Sequence, residues 1–185
     1  MRPILLAVVA AALLAACGRG AASQLPADQA PAFNDADVSF LHAMIPHHQQ
    51  AIEMAKLVTG RTQRPEVVKL AATITASQAA EVASMQAWLT RWKRPATAAA
   101  GTYHGPLMPG MLAEGQLEWL QTLTGTQFDL GFLTMMRTHH SGAVELAQTE
   151  LRSGTSAEVK TLARKIIATQ QTEIRQMQRW KDTWT

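Results

Sequence analysis

A chain whose two halves repeat without a gap must build one supersecondary unit twice and pack it against its copy. Residues 37–92 align with residues 129–184 at a constant spacing, and 21 of the 56 paired positions are identical, with no insertion in either copy. The identities include Asp37/Asp129, Phe40/Phe132, Met44/Met136, His47/His139, His48/His140, Ala51/Ala143 and Glu53/Glu145. Further along come Ile74/Ile166, Gln78/Gln170, Glu81/Glu173, Met85/Met177, Trp88/Trp180 and Trp92/Trp184.

Each copy reads as a helical hairpin. Hydrophobic residues make up 47% of the chain and aromatics only 5%, a mix that favours helix over sheet. The first helix is expected from about 36 to 59, interrupted or bent at Pro46 and ending near Gly60. The second opens at Pro65 and Glu66, residue types suited to a helix start, and runs to about 92. In the second copy Thr126 with Asp129 offers a cap, and "SGTSAE" breaks the pair before Thr155 and Glu158. The Pro/Gly-rich connection, residues 93–128, ends in a short amphipathic helix near 111–122. The expectation is an all-α four-helix bundle made of two repeated hairpins, with a short extra helix in the connection.

The N-terminus carries a separate message. Arg2, an apolar run from Ile4 to Leu14 and a small-residue segment read as a secretory signal peptide over residues 1–16. The run is far shorter than the roughly 20 residues of a spanning helix. "LAAC" resembles a bacterial lipobox, making Cys17 the lipidated first residue of the exported chain; an ordinary signal peptide with an incidental cysteine is the plainer alternative. Residues 17–33 then form a flexible tether, and the folded domain is 34–185. Membrane attachment is expected through the lipid alone, in the periplasm or at the cell surface. A single cysteine excludes an internal disulfide and thiolate clusters. A net charge of +3, spread without a basic stripe, argues against nucleic acid as a partner.

On a helical wheel His47 falls within the apolar stripe that carries Phe40, Met44, Ala51, Met54, Ala55 and Val58, with His48 at its edge. His42 and Glu53 fall on the opposite side. His139 and His140 sit likewise among Met136, Ala143, Leu146 and Ala147. The partner helices place Gln78 and Glu81, and Gln170 and Glu173, inside apolar stripes that include Met85 and Met177. A carboxylate there costs several kcal/mol, of the order of the penalty per buried ion, unless something meets it, and the facing imidazoles are the candidates. Two outcomes fit: a buried His–Glu network without ligand, or a metal site. Thioether beside imidazole favours copper, with Cu(I) preferring sulfur. The metal candidates are therefore His47, His48, Met44, His139, His140, Met136, Glu81, Glu173, Met85 and Met177. Met44/His48 and Met136/His140 are four apart, and the two glutamates are either ligands or groups that orient imidazole. His104, Met108 and Met111 in the connection form a weaker candidate set.

"MIPHHQQAIEMA", "MMRTHHSGAVELA", "MPGM" before the second copy and the "Q..E...M..W" pattern resemble the domain-of-unknown-function family numbered 305, over essentially residues 34–185. The resemblance implies a ferritin-like four-helix bundle outside the cytoplasm that binds copper or silver, with His47, His48, His139, His140, Met44 and Met136 at its centre. Metal-handling proteins would be its partners. A ferritin-like di-metal oxidase is the rival, yet it needs Glu-x-x-His pairs where this chain has Glu81-x-x-Ser84 and Glu173-x-x-Gln176. A noncovalent haem bundle and a structural, partner-binding lipoprotein are the remaining alternatives. No G-x-S-x-G, phosphate loop or H-E-x-x-H is present.

Overall fold

The computed structural model describes residues 32–98 and 108–185; residues 1–31, where the expected signal peptide, Cys17 and most of the expected tether fall, and His104 lie outside the described residues. Five helices follow one another: α1 (Asp35–Lys56), α2 (Pro65–Arg91), α3 (Glu114–Thr122), α4 (Gly125–Ser153) and α5 (Ala157–Trp184). No strand occurs among the described residues. α1 pairs with α2 and α4 with α5, and the hairpins join through α1 and α4 while α3 rests on α4. None of the described helices is long and apolar enough to cross a membrane.

Helix ends depart from the sequence reading in instructive ways. α1 stops at Lys56, and the chain turns through Leu57–Arg61 with Val58 still buried. Pro46 lies inside an unbroken α1, since a proline removes only one rung of the ladder, here the bond to the His42 carbonyl. α1 begins with a capping box in which Asn34 accepts from the Asp37 amide (3.0 Å) while Asp37 accepts from the Asn34 amide (2.6 Å). The expected Thr126/Asp129 cap does not form. α4 starts at Gly125 after Thr124, whose side chain caps nothing, and Asp129 instead accepts from Arg64 Nε at 3.0 Å. Before α5 the cap is Ser156, which accepts from the Val159 amide at 3.4 Å. Thr155 gives its amide and hydroxyl to Asp37, each at 3.1 Å, and the Ser156 amide adds a third bond at 3.0 Å. Each repeat's first aspartate thus grips the start of the other repeat's second helix, because Arg64 and Ser156 are themselves equivalent positions. His42 is half-buried, with Nε2 2.9 Å from the Pro95 carbonyl, while Glu53 is exposed as expected.

Asp37 has a companion that the repeat did not announce. Glu150, at a position where the first copy has Val58, is 2% exposed and lies against it. Burial pushes the Glu150 carboxyl up to about 8, and the neighbouring Asp37 adds to the effect. Burial would also raise Asp37, but the donors from Asn34, Thr155 and Ser156 outweigh it and hold that carboxyl below its usual range. Of the two carboxyls, Glu150 is thus the more readily protonated. A raised carboxyl favours the fold below its unfolded value of 4.5 and loses that advantage as pH rises through about 8. Glu150→Gln is expected to stabilise the protein by on the order of 2–3 kcal/mol at neutral pH. The gain should shrink to nothing near pH 4.5. Denaturant unfolding of both proteins across this range checks it, and a pH-independent difference contradicts it.

Candidate metal centre

Two apolar clusters fill the bundle, and the polar residues of the repeat lie between them. One cluster holds Met54, Ile74, Phe128, Phe132, Met136 and Met177; the other holds Leu41, Met44, Met85, Leu89, Ala143 and Ile166. Along α1, His47 and His48 fall between Met44 of one cluster and Ala51 of the other; along α4, His139 and His140 fall between Met136 and Ala143. Gln78 and Glu81 lie between Ile74 and Met85, and Gln170 and Glu173 between Ile166 and Met177. The result is a buried layer of four imidazoles, two carboxylates and two amides, bounded by Met44 and Met85 on one side and Met136 and Met177 on the other. All four methionines are fully buried in those clusters, so each also fills core. Met54 is buried with Met136 and Met177.

Hydrogen bonds fix how the imidazoles present themselves. His48 Nε2 is 2.9 Å from Glu81 Oε2, and His140 Nε2 is 2.8 Å from Glu173 Oε2. Burial pushes His48 down, against the pull of Glu81. Burial would raise Glu81, but His48 and Lys165 hold it below the usual range. A neutral imidazole thus donates Nε2–H to a carboxylate, leaving the Nδ1 lone pair bare. His140 makes the same bond. His47 is lowered by burial to about 4. Its Nε2 donates to the Pro109 carbonyl at 3.0 Å, which again leaves Nδ1 bare. His139 is pushed well below its ordinary value by burial and by the neighbouring histidines. The His47 and His139 rings meet at 3.9 Å between centroids with a 44° tilt.

The unpaired atoms are what such a layer has to offer. The Nδ1 of all four histidines, Nε2 of His139 and the Oε1 of Gln78 and Gln170 are buried without a hydrogen-bond partner. Each such group costs about 1–3 kcal/mol if left so. A soft cation satisfies imidazole lone pairs and thioethers together, so the donor chemistry fits copper or silver. Among the described residues no three His, Cys, Asp or Glu side chains form a ready metal cage. Glu81 is already engaged at both oxygens, by His48 and by Lys165 Nζ at 3.2 Å. Glu53 and Glu145 are exposed and take no part.

Sequence reasoning missed the strap that covers this layer. Pro109–Leu112 crosses α1 and α4. Gln50 brackets Leu112 with two bonds, from its Nε2 to the carbonyl (3.0 Å) and from the Leu112 amide to its Oε1 (2.8 Å). Position 142, the partner of Gln50 in the repeat, is glycine: a Cβ there would lie 1.9 Å from the Pro109 oxygen. One repeat supplies the clamp and the other supplies the room. Gly110 adopts φ +78°, which favours glycine. Met111 lies within this strap and Met108 directly before it, both half-buried. The readable signal was that position 50 carries glutamine where its repeat partner, position 142, carries glycine.

The chain belongs to the family described as domain of unknown function DUF305, whose model matches residues 37–181. It is 38% identical to a DUF305 protein of Streptomyces coelicolor, with a TM-score of 0.72 over 77% of this chain and 89% of the other. A DUF305 fragment from Deinococcus radiodurans is 35% identical, with a TM-score of 0.72 over 81% and 97%. CopM in its Cu(II)-bound form is 35% identical, with a TM-score of 0.71 over 80% and 97%, and CopM structures also exist in Cu(I)-bound and Ag-bound forms. An uncharacterized protein of Acanthamoeba polyphaga mimivirus is 40% identical over 57 residues, and the match covers 38% of that protein.

Proposed function

We propose that this protein is an exported, lipid-anchored binder of copper or silver ions that sequesters them or passes them to other metal-handling proteins. One observation carries the reading: a buried layer in which the Nδ1 atoms of His47, His48 and His140 are bare, His139 has no partner at either nitrogen, and four thioethers border the whole. In this reading His47, His48, His139 and His140 supply nitrogen and Met44, Met85, Met136 and Met177 supply sulfur. Glu81 and Glu173 orient imidazole rather than touch the ion. The soft donors favour Cu(I) and Ag(I) over Cu(II). Kinship with CopM, which binds these metals, supports it, and the lipobox-like "LAAC" at Cys17 supports the anchor.

Competition titrations against a chelator test the metal reading. The wild type is expected to bind Ag(I) and Cu(I) saturably. Glu81→Ala with Glu173→Ala should weaken binding by about 10–100-fold, the usual effect of removing a carboxylate behind a ligating histidine. A wild type that shows no competition and no change in melting with either ion contradicts the proposal. Mass spectrometry of the mature N-terminus tests the anchor, which requires a lipidated Cys17.

A further inference from the structure

The repeat places the same groove at two points on the bundle, yet the two grooves differ at their floors. One lies between α2 and α5, encloses about 310 Å³ and has Thr73, Glu173, Gln176 and Trp180 in its wall. Its counterpart, about 480 Å³, has Lys165 and Trp88 at the matching positions, but Glu81 is absent from its wall. Three equivalent positions differ, Lys69/Thr161, Gln176/Ser84 and Thr73/Lys165, and among the described residues only the last sets an ammonium on a buried glutamate. Where the first copy has Thr73 the second has Lys165, and Lys165 Nζ lies 3.2 Å from Glu81 Oε1. Among the described residues Glu173 forms no ion pair with lysine or arginine. Its carboxylate therefore faces the groove on one side and binds His140 Nε2 on the other.

We propose that the groove beside Glu173 is the port through which a cation reaches the buried imidazole layer, while Lys165 closes the matching path beside Glu81. The inference rests on the metal-binding reading above. At the open groove, whose wall also holds Glu66 and Lys69, a cation meets a carboxylate with no ammonium paired to it, one hydrogen bond away from His140. At the closed groove it meets an ammonium first, and the carboxylate behind it is already neutralised. Entry of positive charge is favoured at the first and opposed at the second. Over His47 the layer is covered by the Pro109–Leu112 strap. Two chemically similar histidine pairs thereby fill in order, the His140 side first.

Thr73 and Lys165 are exposed at the surface, so exchanging them leaves the core intact. Stopped-flow mixing of the whole protein with Ag(I), read by tryptophan emission, tests the port. Thr73→Lys is expected to slow association by about tenfold or more without changing the final stoichiometry. Lys165→Thr should add a second fast phase. In metal-free protein, deuterium exchange at the imidazole C2 position should be faster for His140 than for His48. Thr73→Lys should slow the first and Lys165→Thr should quicken the second. Intact Ag(I) binding with unaltered rates and exchange in both variants overturns the port alone. Absence of Ag(I) binding in the wild type overturns the metal reading, and the port with it.

Discussion

Gly142→Ala is expected to destabilise the protein by roughly 3 kcal/mol or more, a severe change for one methyl group in a helix. Elsewhere in a helix the same exchange gains up to about 1 kcal/mol, because alanine is the better helix former. Here the new Cβ would stand 1.9 Å from the Pro109 oxygen and 2.2 Å from its carbonyl carbon. Those are backbone atoms, and Gly110 next to them is itself hemmed in by the Thr138 and His139 carbonyls. The strap has nowhere to move except outward. His47 would then lose the acceptor for its Nε2–H and the layer would open to water. Melting should fall by on the order of 10 °C for a domain of this size, and His47 should become reactive to solvent. Gly115→Ala, where nothing lies within 4 Å, is the control that should melt no lower. A Gly142→Ala protein that melts like the wild type contradicts the strap's role.

The second large effect separates architecture from function. His48→Leu removes the partner of a carboxylate that is 6% exposed. Breaking one side of such a buried pair costs about 3–5 kcal/mol, because the remaining charge is left without compensation. Lys165 offsets part of this, so about 3 kcal/mol is expected. Adding Glu81→Met removes the stranded charge, and stability should return to within about 1 kcal/mol of wild type. Metal affinity should not return with it and should stay reduced by about tenfold or more. Chemical unfolding and Ag(I) competition on the same two variants decide the matter. If the double variant regains both stability and affinity, the His48–Glu81 pair is a core device with no part in binding.

Most of the architecture was legible because the repeat carries it. Ungapped identity over both hairpins fixed the helix order, and Pro65 marked the start of α2 at the residue where it begins. The inward turn of His47, His48, His139 and His140, and of Glu81 and Glu173, followed from a wheel alone. What the wheel could not give is the hydrogen-bond direction that makes Nδ1 the bare atom. That depends on which imidazole meets a carboxylate and which meets the Pro109 carbonyl. The helix termini were misread for a related reason. Asp129 resembles a local cap, but Arg64, sixty-five residues earlier, takes it instead. Asp37 likewise spends its carboxylate on Thr155 and Ser156 as well as on its own helix start. The features that distinguish the halves, Gln50 against Gly142, Thr73 against Lys165 and Val58 against Glu150, were visible as mismatches. Their meaning came only from what stood opposite them.

Nitrogen NMR on protein labelled at histidine, recorded before and after addition of Ag(I), measures the central feature directly. The account requires that His48 and His140 hold their proton on Nε2 in the metal-free protein. On addition of Ag(I) their Nδ1 resonances should shift and couple to silver while the Nε2 protons persist. Protonated Nδ1 atoms before addition, or Nδ1 resonances that ignore the ion, would contradict it.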